Sequence, residues 1–220
     1  MRYFLVDTET TGVGATDKVC EIAYLEIDSN FNQLGGDVSL INPQKPIPSG
    51  ASAVNGIIDS MVANAPLLED YLADGKLYVE DMVFIAHNSS FDFGFLKSYL
   101  HPSTQQLCTL RASRVIYPNA DSHKQAALAY SLGLEIDRST AHSAGGDLMV
   151  LRQLLQRMCA DHQCAIADLI KAANAPRKIN SMPFGKHKGK SLKELPKSYI
   201  SWLLGEATID DDLRASLMAI

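Results

Sequence analysis

The sequence predicts an α/β fold: a mixed five-stranded sheet flanked by helices over residues 1–172, followed by a small α+β module over residues 173–220. Three observations predict it. Three β-type runs joined by short turns open the chain. Two more short apolar runs follow, each leading into helical sequence. The composition then shifts near residues 172–180, where Asn174-Ala175-Pro176-Arg177-Lys178 reads as a linker.

The first strand is Arg2-Tyr3-Phe4-Leu5-Val6, ending at Asp7. The second spans 19–28 and the third 35–43, closed by the proline-rich 43–48 segment. Short turns between them predict an antiparallel meander. Helical segments are expected near 50–57 and 66–72, then a buried strand at 82–86 that ends on His87-Asn88. A helix follows from about Ser90 to Leu100, and Leu107-Cys108-Thr109-Leu110 is the fifth strand. Beyond it the chain reads as mostly helical. The clearest stretch is 144–162, where Leu148, Leu151, Leu154, Leu155 and Met158 form one apolar stripe. The terminal module opens with a basic, hairpin-like turn, Phe184-Gly185-Lys186-His187-Lys188-Gly189-Lys190, and closes with two short helices around Trp202 and Leu213.

With 46% hydrophobic and 20% charged residues, the 220-residue chain has the composition of a soluble globular protein with a sizeable core. No apolar stretch is long enough to cross a bilayer. Met1 is followed directly by a strand, so no targeting segment is expected. Cys20, Cys108, Cys159 and Cys164 lie in or beside apolar runs without metal-type pairing, which predicts reduced thiols and a cytoplasmic protein. The net charge of −5 hides an asymmetry: residues 1–172 carry −8 and residues 173–220 carry +3.

The first strand leads into Asp7-Thr8-Glu9-Thr10-Thr11-Gly12. Side chains two apart on a strand share a face, so Asp7 and Glu9 converge on one spot. Hard divalent ions take such oxygen ligands. Asp92 stands just after a buried strand, in the first turn of a helix, and Asp147 follows His142 by five residues at another helix start. Each acid alone also suits an ordinary helix start, where the dipole favours negative charge.

Together these motifs resemble the DEDDh (DnaQ-like) 3′–5′ exonucleases. Asp7 and Glu9 stand in the Asp-Thr-Glu-Thr-Thr-Gly form of the first motif, Asp92 in His87-Asn88-Ser89-Ser90-Phe91-Asp92, and His142 with Asp147 in the third. The resemblance covers roughly residues 1–160 and implies a ribonuclease-H-like sheet. It implies two divalent ions, Mg²⁺ or Mn²⁺: Asp7 bridging them, Glu9 and Asp147 completing the ion that activates water, and Asp92 serving the other. His142 is then the general base, since imidazole titrates near neutrality. Thr8, Thr10, Asn88 and Phe91 would lie along the terminal nucleotides of a DNA substrate, a single-stranded 3′ end. Asn55-Gly56-Ile57 and Ala141 depart from the family, whose members often carry His-Gly-Ile and Arg at those places.

The tail, with Phe-Gly-Lys-x-Lys-Gly-Lys followed by Leu195-Pro196 and Tyr199-Ile200-Ser201-Trp202-Leu203, is similar to that of the exodeoxyribonuclease X branch. Lys186, Lys188 and Lys190 are candidate phosphate contacts. The implied activity is release of nucleoside 5′-monophosphates from DNA in repair or degradation. The same fold acting on RNA, a polymerase proofreading subunit and an inactive binding module are the alternatives.

Overall fold

Nine residues, Arg2–Thr10, with Tyr3 to Val6 all buried, form β1 at the centre of the sheet in this computed structural model, which describes residues 1–137, 139, 142–206, 209 and 211–220. β2 (Val19–Ile27) pairs antiparallel with β1 from Tyr3↔Ile27 to Thr10↔Val19, with an irregularity at Glu9/Thr10. β3 (Gln33–Leu40) pairs antiparallel with β2. The hairpin between them is set by Asp28, whose carboxylate accepts from the backbone N–H of Asn30 and Asn32. Three short helices follow: α1 (Ser49–Asn55), α2 (Asp59–Val62) and α3 (Leu68–Tyr71).

β4 (Met82–Ala86), buried at every position, returns parallel to β1, with Arg2↔Met82 through Leu5↔Ile85 in register. α4 (Ser90–Leu96) leads on to β5 (Gln105–Cys108), parallel to β4. The sheet order is β3-β2-β1-β4-β5. α5 (Thr109–Ile116), α6 (Gln125–Ser131), α7 (Ala144–Asp161) and α8 (Ile166–Asn174) complete the first of two units, Met1–Asn174 and Ala175–Ile220. The five-stranded mixed sheet is the one the sequence predicts.

The period-2 rule divides the core. Tyr3 and Leu5 of β1, with Val83 and Ile85 of β4, pack under Leu148, Leu151 and Leu155 of α7. Phe4 and Val6, with Phe84, face the opposite way onto Leu72, Leu77 and Leu96. Three boundaries differ from expectation. β1 continues past Asp7 because β2 is equally long and pairs along it, so Asp7 and Glu9 sit within a paired strand. β3 starts and ends earlier because the Asp28 turn begins the return sooner. Thr109 and Leu110 open α5 instead of ending β5: the Thr109 hydroxyl bonds back to Ala86 O at 3.3 Å.

In the second unit, Met182 N donates to Lys190 O and Gly189 N to Met182 O, both at 2.8 Å, closing the basic turn as a hairpin-like loop. Gly185 and Gly189 hold φ of 69° and 84° there, a region costly for residues with a Cβ. α9 (Lys197–Gly205) and α10 (Asp211–Met218) follow. Arg214 binds the carbonyls of Leu204 and Glu206 at 2.7 and 2.6 Å, satisfying the end of α9. Met182, Leu192, Leu195, Leu203, Leu213 and Leu217 make this unit's own core. Among the described residues, no helix is long and apolar enough to cross a membrane.

Candidate active site

Asp7 and Glu9 continue the odd-numbered face of β1 that begins with Tyr3 and Leu5, so the apolar layer beneath α7 gives way to two carboxylates. Asp147 comes to them from the first turn of α7. Ligand oxygens of Asp7, Glu9 and Asp147 all lie within 4.8 Å of one another. Two contacts hold the helix end there. The Ser143 hydroxyl accepts from Gly146 N at 3.2 Å as the N-cap, and Glu21 of β2 accepts from Ala144 N at 2.6 Å. Gln125 donates to Asp147 O at 2.8 Å from α6.

Asp92 reaches β1 from the other direction. The β1–β4 ladder stops at Leu5↔Ile85, so β1 beyond Leu5 has no strand partner on that edge. Asp92, buried in the first turn of α4, fills the gap: its Oδ1 accepts from Thr8 N at 3.0 Å and from Thr8 Oγ1 at 2.7 Å. The acid thereby satisfies a backbone donor that would otherwise be stranded.

The acids repel one another in a poorly hydrated place. Burial and the charges of Asp92, Asp147, Glu9 and Glu21 push the Asp7 carboxyl well above its ordinary value. Burial, then Asp147 and Glu21, raises Glu9 to about 7. Burial lifts Asp92 to about 6, against the pull of the Thr8 bonds. Asp147 is raised by burial and lowered by His142; Glu21 is raised by burial. Among the described residues, no salt bridge involves any of these five acids. Glu9 and Glu21 even stand directly opposite across the β1–β2 pair, a destabilising placement for like charges. Clustered oxygen donors with uncompensated charge fit a hard divalent cation.

The other residues singled out in the sequence divide. His142 is exposed just before α7, at φ 62°, with its charge felt by Asp147. Asn88 is exposed at φ 73°, in the turn between β4 and α4. Phe91 lines a cleft of about 550 Å³ with Ser90, Gly94 and Phe95. Thr8 and Thr10 stand on the same strand as the acids. Alternation turns both side chains to the face opposite Asp7 and Glu9, and both are buried. Thr8 binds Asp92, while the Thr10 hydroxyl donates to Gly12 O at 2.7 Å. His87 is structural: one ring nitrogen meets His123 O at 2.8 Å, the other Thr109 Oγ1 at 3.0 Å, and burial lowers its pKa to about 4. Ala141 lies outside the described residues.

Residues 4–155 match the RNase_T family model, described as an exonuclease. The chain belongs to the RNase_T exonuclease family. Within this family, a DNA polymerase III subunit epsilon-like protein of Rhodobacter capsulatus is 33% identical over 170 residues, covering 72% of this chain and 24% of the relative. DNA polymerase III subunit epsilon of Treponema pallidum is 28% identical, covering 77% and 82%. The chain spans only 11% of the PolC-type DNA polymerase III of Bacillus subtilis. Two solved structures share the exonuclease fold. Exonuclease X in complex with 5′-overhanging duplex DNA has a TM-score of 0.66 at 24% identity, covering 78% of this chain and 99% of that one. E. coli Exonuclease I in complex with a dT13 oligonucleotide has 0.64 at 18%, covering 74% and 42%. Residues 174–209 match a second model, described as a proposed quorum-sensing-regulated virulence factor.

Sequence reasoning missed one residue beside the acid cluster. Glu21 reads as an ordinary outward position of an alternating strand, and its link to α7 spans 123 residues. Asn55, at the family's usual His, donates to Thr10 O at 3.3 Å, and its side chain draws the Glu9 pKa down. The signal for Glu21 was available: an acid two residues from a buried Ala23 faces the same way as Asp7 once the meander is paired.

Proposed function

We propose that the chain hydrolyses phosphodiester bonds at the 3′ end of DNA with Mg²⁺ or Mn²⁺ and releases nucleoside 5′-monophosphates. The observation that carries this reading is the convergence of Asp7, Glu9 and Asp147 within 4.8 Å, together with Asp92 clamped by Thr8. Asp7, Glu9, Asp92 and Asp147 would hold two divalent ions. Bound there, the ions would supply positive charge for both the attacking and the leaving oxygen. His142 takes the proton of the attacking water at its imidazole. The water oxygen forms the new bond to phosphorus as the bond to the 3′ oxygen of the upstream nucleotide breaks. Exposure of His142 suits this task, because a base at the rim of the acid cluster can pass its proton to solvent. Phe91 and Asn88 flank the terminal nucleotides.

Support for DNA comes from the relatives' names and from the DNA in the two exonuclease structures above. A role in DNA repair or degradation accords with them. Coverage of 82% of the T. pallidum epsilon subunit favours polymerase proofreading as the second reading. The four free cysteines suit the reducing cytoplasm.

The test is digestion of 5′-labelled single-stranded DNA, duplex DNA and single-stranded RNA by the purified protein with Mg²⁺ or Mn²⁺. A ladder shortening from the 3′ end of DNA, with 5′-mononucleotides as product, is expected. Internal cleavage, or degradation of RNA alone, would overturn the reading.

A further inference from the structure

The second unit carries an exposed tryptophan that its core does not use. Trp202 is 53% exposed on α9, outside the cluster formed by Met182, Leu192, Leu195, Leu203, Leu213 and Leu217. Its ring lies 5.4 Å from that of Tyr199, tilted by 34°. Tyr199 in turn meets the His187 ring edge-on at 4.5 Å and the Lys186 ammonium at 5.2 Å. Together with Pro196 and Ser198 these residues line an open groove of about 590 Å³. Tyr199 is half-buried and packs against the core on one side, whereas Trp202 beside it is left to solvent, a surface built to meet something.

The charge around the groove says what it meets. Lys186 lines it, Lys188 and Lys190 follow in the same loop, and seven of the eight charged residues from Arg177 to Lys197 are basic. The first turn of α9, which forms one wall, contains no acid. Aromatic rings that offer flat faces, flanked by cations, are the two parts of a single-strand binder: bases stack and phosphates pair. A protein partner of acidic character would answer to the lysines but would not need adjacent flat rings.

We propose that Trp202 and Tyr199, with Lys186, Lys188 and Lys190, form a binding site for single-stranded nucleic acid that belongs to the terminal unit and is separate from the carboxylate cluster. The site rests on the reading of the chain as a DNA exonuclease and deepens it. Strand held at the tail stays at high effective concentration near the exonuclease unit, because one chain carries both. Release of a nucleotide then need not mean loss of the polymer.

Trp202 is the sole tryptophan of the chain, so its emission reports on this site alone. The full-length protein, kept in EDTA to prevent hydrolysis, is titrated with an oligothymidylate of about 12 nucleotides, a length within the usual range of single-strand sites. Trp202 emission should be quenched in step with the anisotropy of the labelled oligonucleotide. Trp202→Ala should weaken binding about tenfold and Trp202→Phe less, in keeping with the usual worth of one stacked base. Changing Lys186, Lys188 and Lys190 together to Gln should make the log–log salt dependence shallower by about 2, at about 0.7 per single-strand phosphate contact. A blunt duplex should leave the emission unchanged, since its bases are already stacked. The proposal is overturned if the oligonucleotide binds with no change in Trp202 emission, if Trp202→Ala binds with wild-type affinity, or if duplex quenches equally. Quenching that persists in a protein with no hydrolytic activity would remove the exonuclease reading and leave the binding site standing.

Discussion

One oxygen of Asp92 accepts two hydrogen bonds from a single residue: Thr8 donates to it from its backbone N at 3.0 Å and from its hydroxyl at 2.7 Å. The acid of α4 is thus fixed to the strand that carries Asp7 and Glu9, although Thr8 itself faces the other side of the sheet. Thr8→Val keeps the shape and the backbone bond but removes the hydroxyl. A buried carboxylate left one bond short should cost about 1–3 kcal/mol of stability. The variant should also lose exonuclease activity, with the acid limb of its pH–rate profile moved upward. Urea unfolding and the profile check the two parts, and a wild-type profile would show that Thr8 does not position Asp92.

Glu21 ties the start of α7 to β2 through Ala144 N at 2.6 Å. Glu21→Gln keeps an acceptor oxygen and removes one negative charge opposite Glu9, so activity should stay within a few-fold of wild type and the metal-free protein should melt higher. Glu21→Ala frees the helix start that holds His142 and Asp147, and activity should fall by about 10²-fold, the scale of a misplaced catalytic group. Equal activity of the Ala and Gln variants would remove the tether.

The pKa shifts fix a pH dependence. Asp7, Glu9 and Asp147 have folded-state pKa values above their unfolded ones, Glu9 moving from 4.5 to about 7. Their contribution to stability is therefore fully present below the unfolded values and is lost as pH rises through the folded ones. Without metal, this protein should lose thermal stability between about pH 4.5 and 7. Divalent cations bind the ionised acids, so Mn²⁺ should raise the melting temperature more at pH 7.5 than at pH 5. Melting curves with and without Mn²⁺ at both values check this, and a gain independent of pH would contradict it.

His142→Ala should lower turnover by about 10²–10⁴-fold, the usual contribution of a general base. Its effect on Mn²⁺ binding should be far smaller than that of Asp7→Asn. Titration calorimetry of both variants separates the roles: loss of cation binding in His142→Ala would make the imidazole a ligand.

The strands and the acids were legible because each leaves a local mark. Apolar, β-type runs mark β1, β2 and β4, and Asp7, Glu9 and Asp147 interrupt patterns that packing alone would have continued. What was not legible depended on partners distant in the chain. The bonds of Thr8 to Asp92 span 84 residues and that of Glu21 to Ala144 spans 123. β5 was misplaced because Thr109 suits a strand by propensity, while in the structure its hydroxyl bonds back to Ala86 as α5 begins. The groove beside Trp202 was hidden for a related reason: which apolar residues of α9 are covered depends on the packed unit, where Leu203 is buried and Trp202 is left exposed.

Asp7 is the acid most surrounded by the others, so its substitution bears most directly on the account. The measurement is the rate of 3′-end shortening of 5′-labelled single-stranded DNA by Asp7→Asn and wild type across a Mn²⁺ titration, with circular dichroism confirming the same fold. The account predicts no shortening by Asp7→Asn at any Mn²⁺ concentration and a higher melting temperature for the metal-free variant. Shortening at the wild-type rate by a folded Asp7→Asn protein would contradict it.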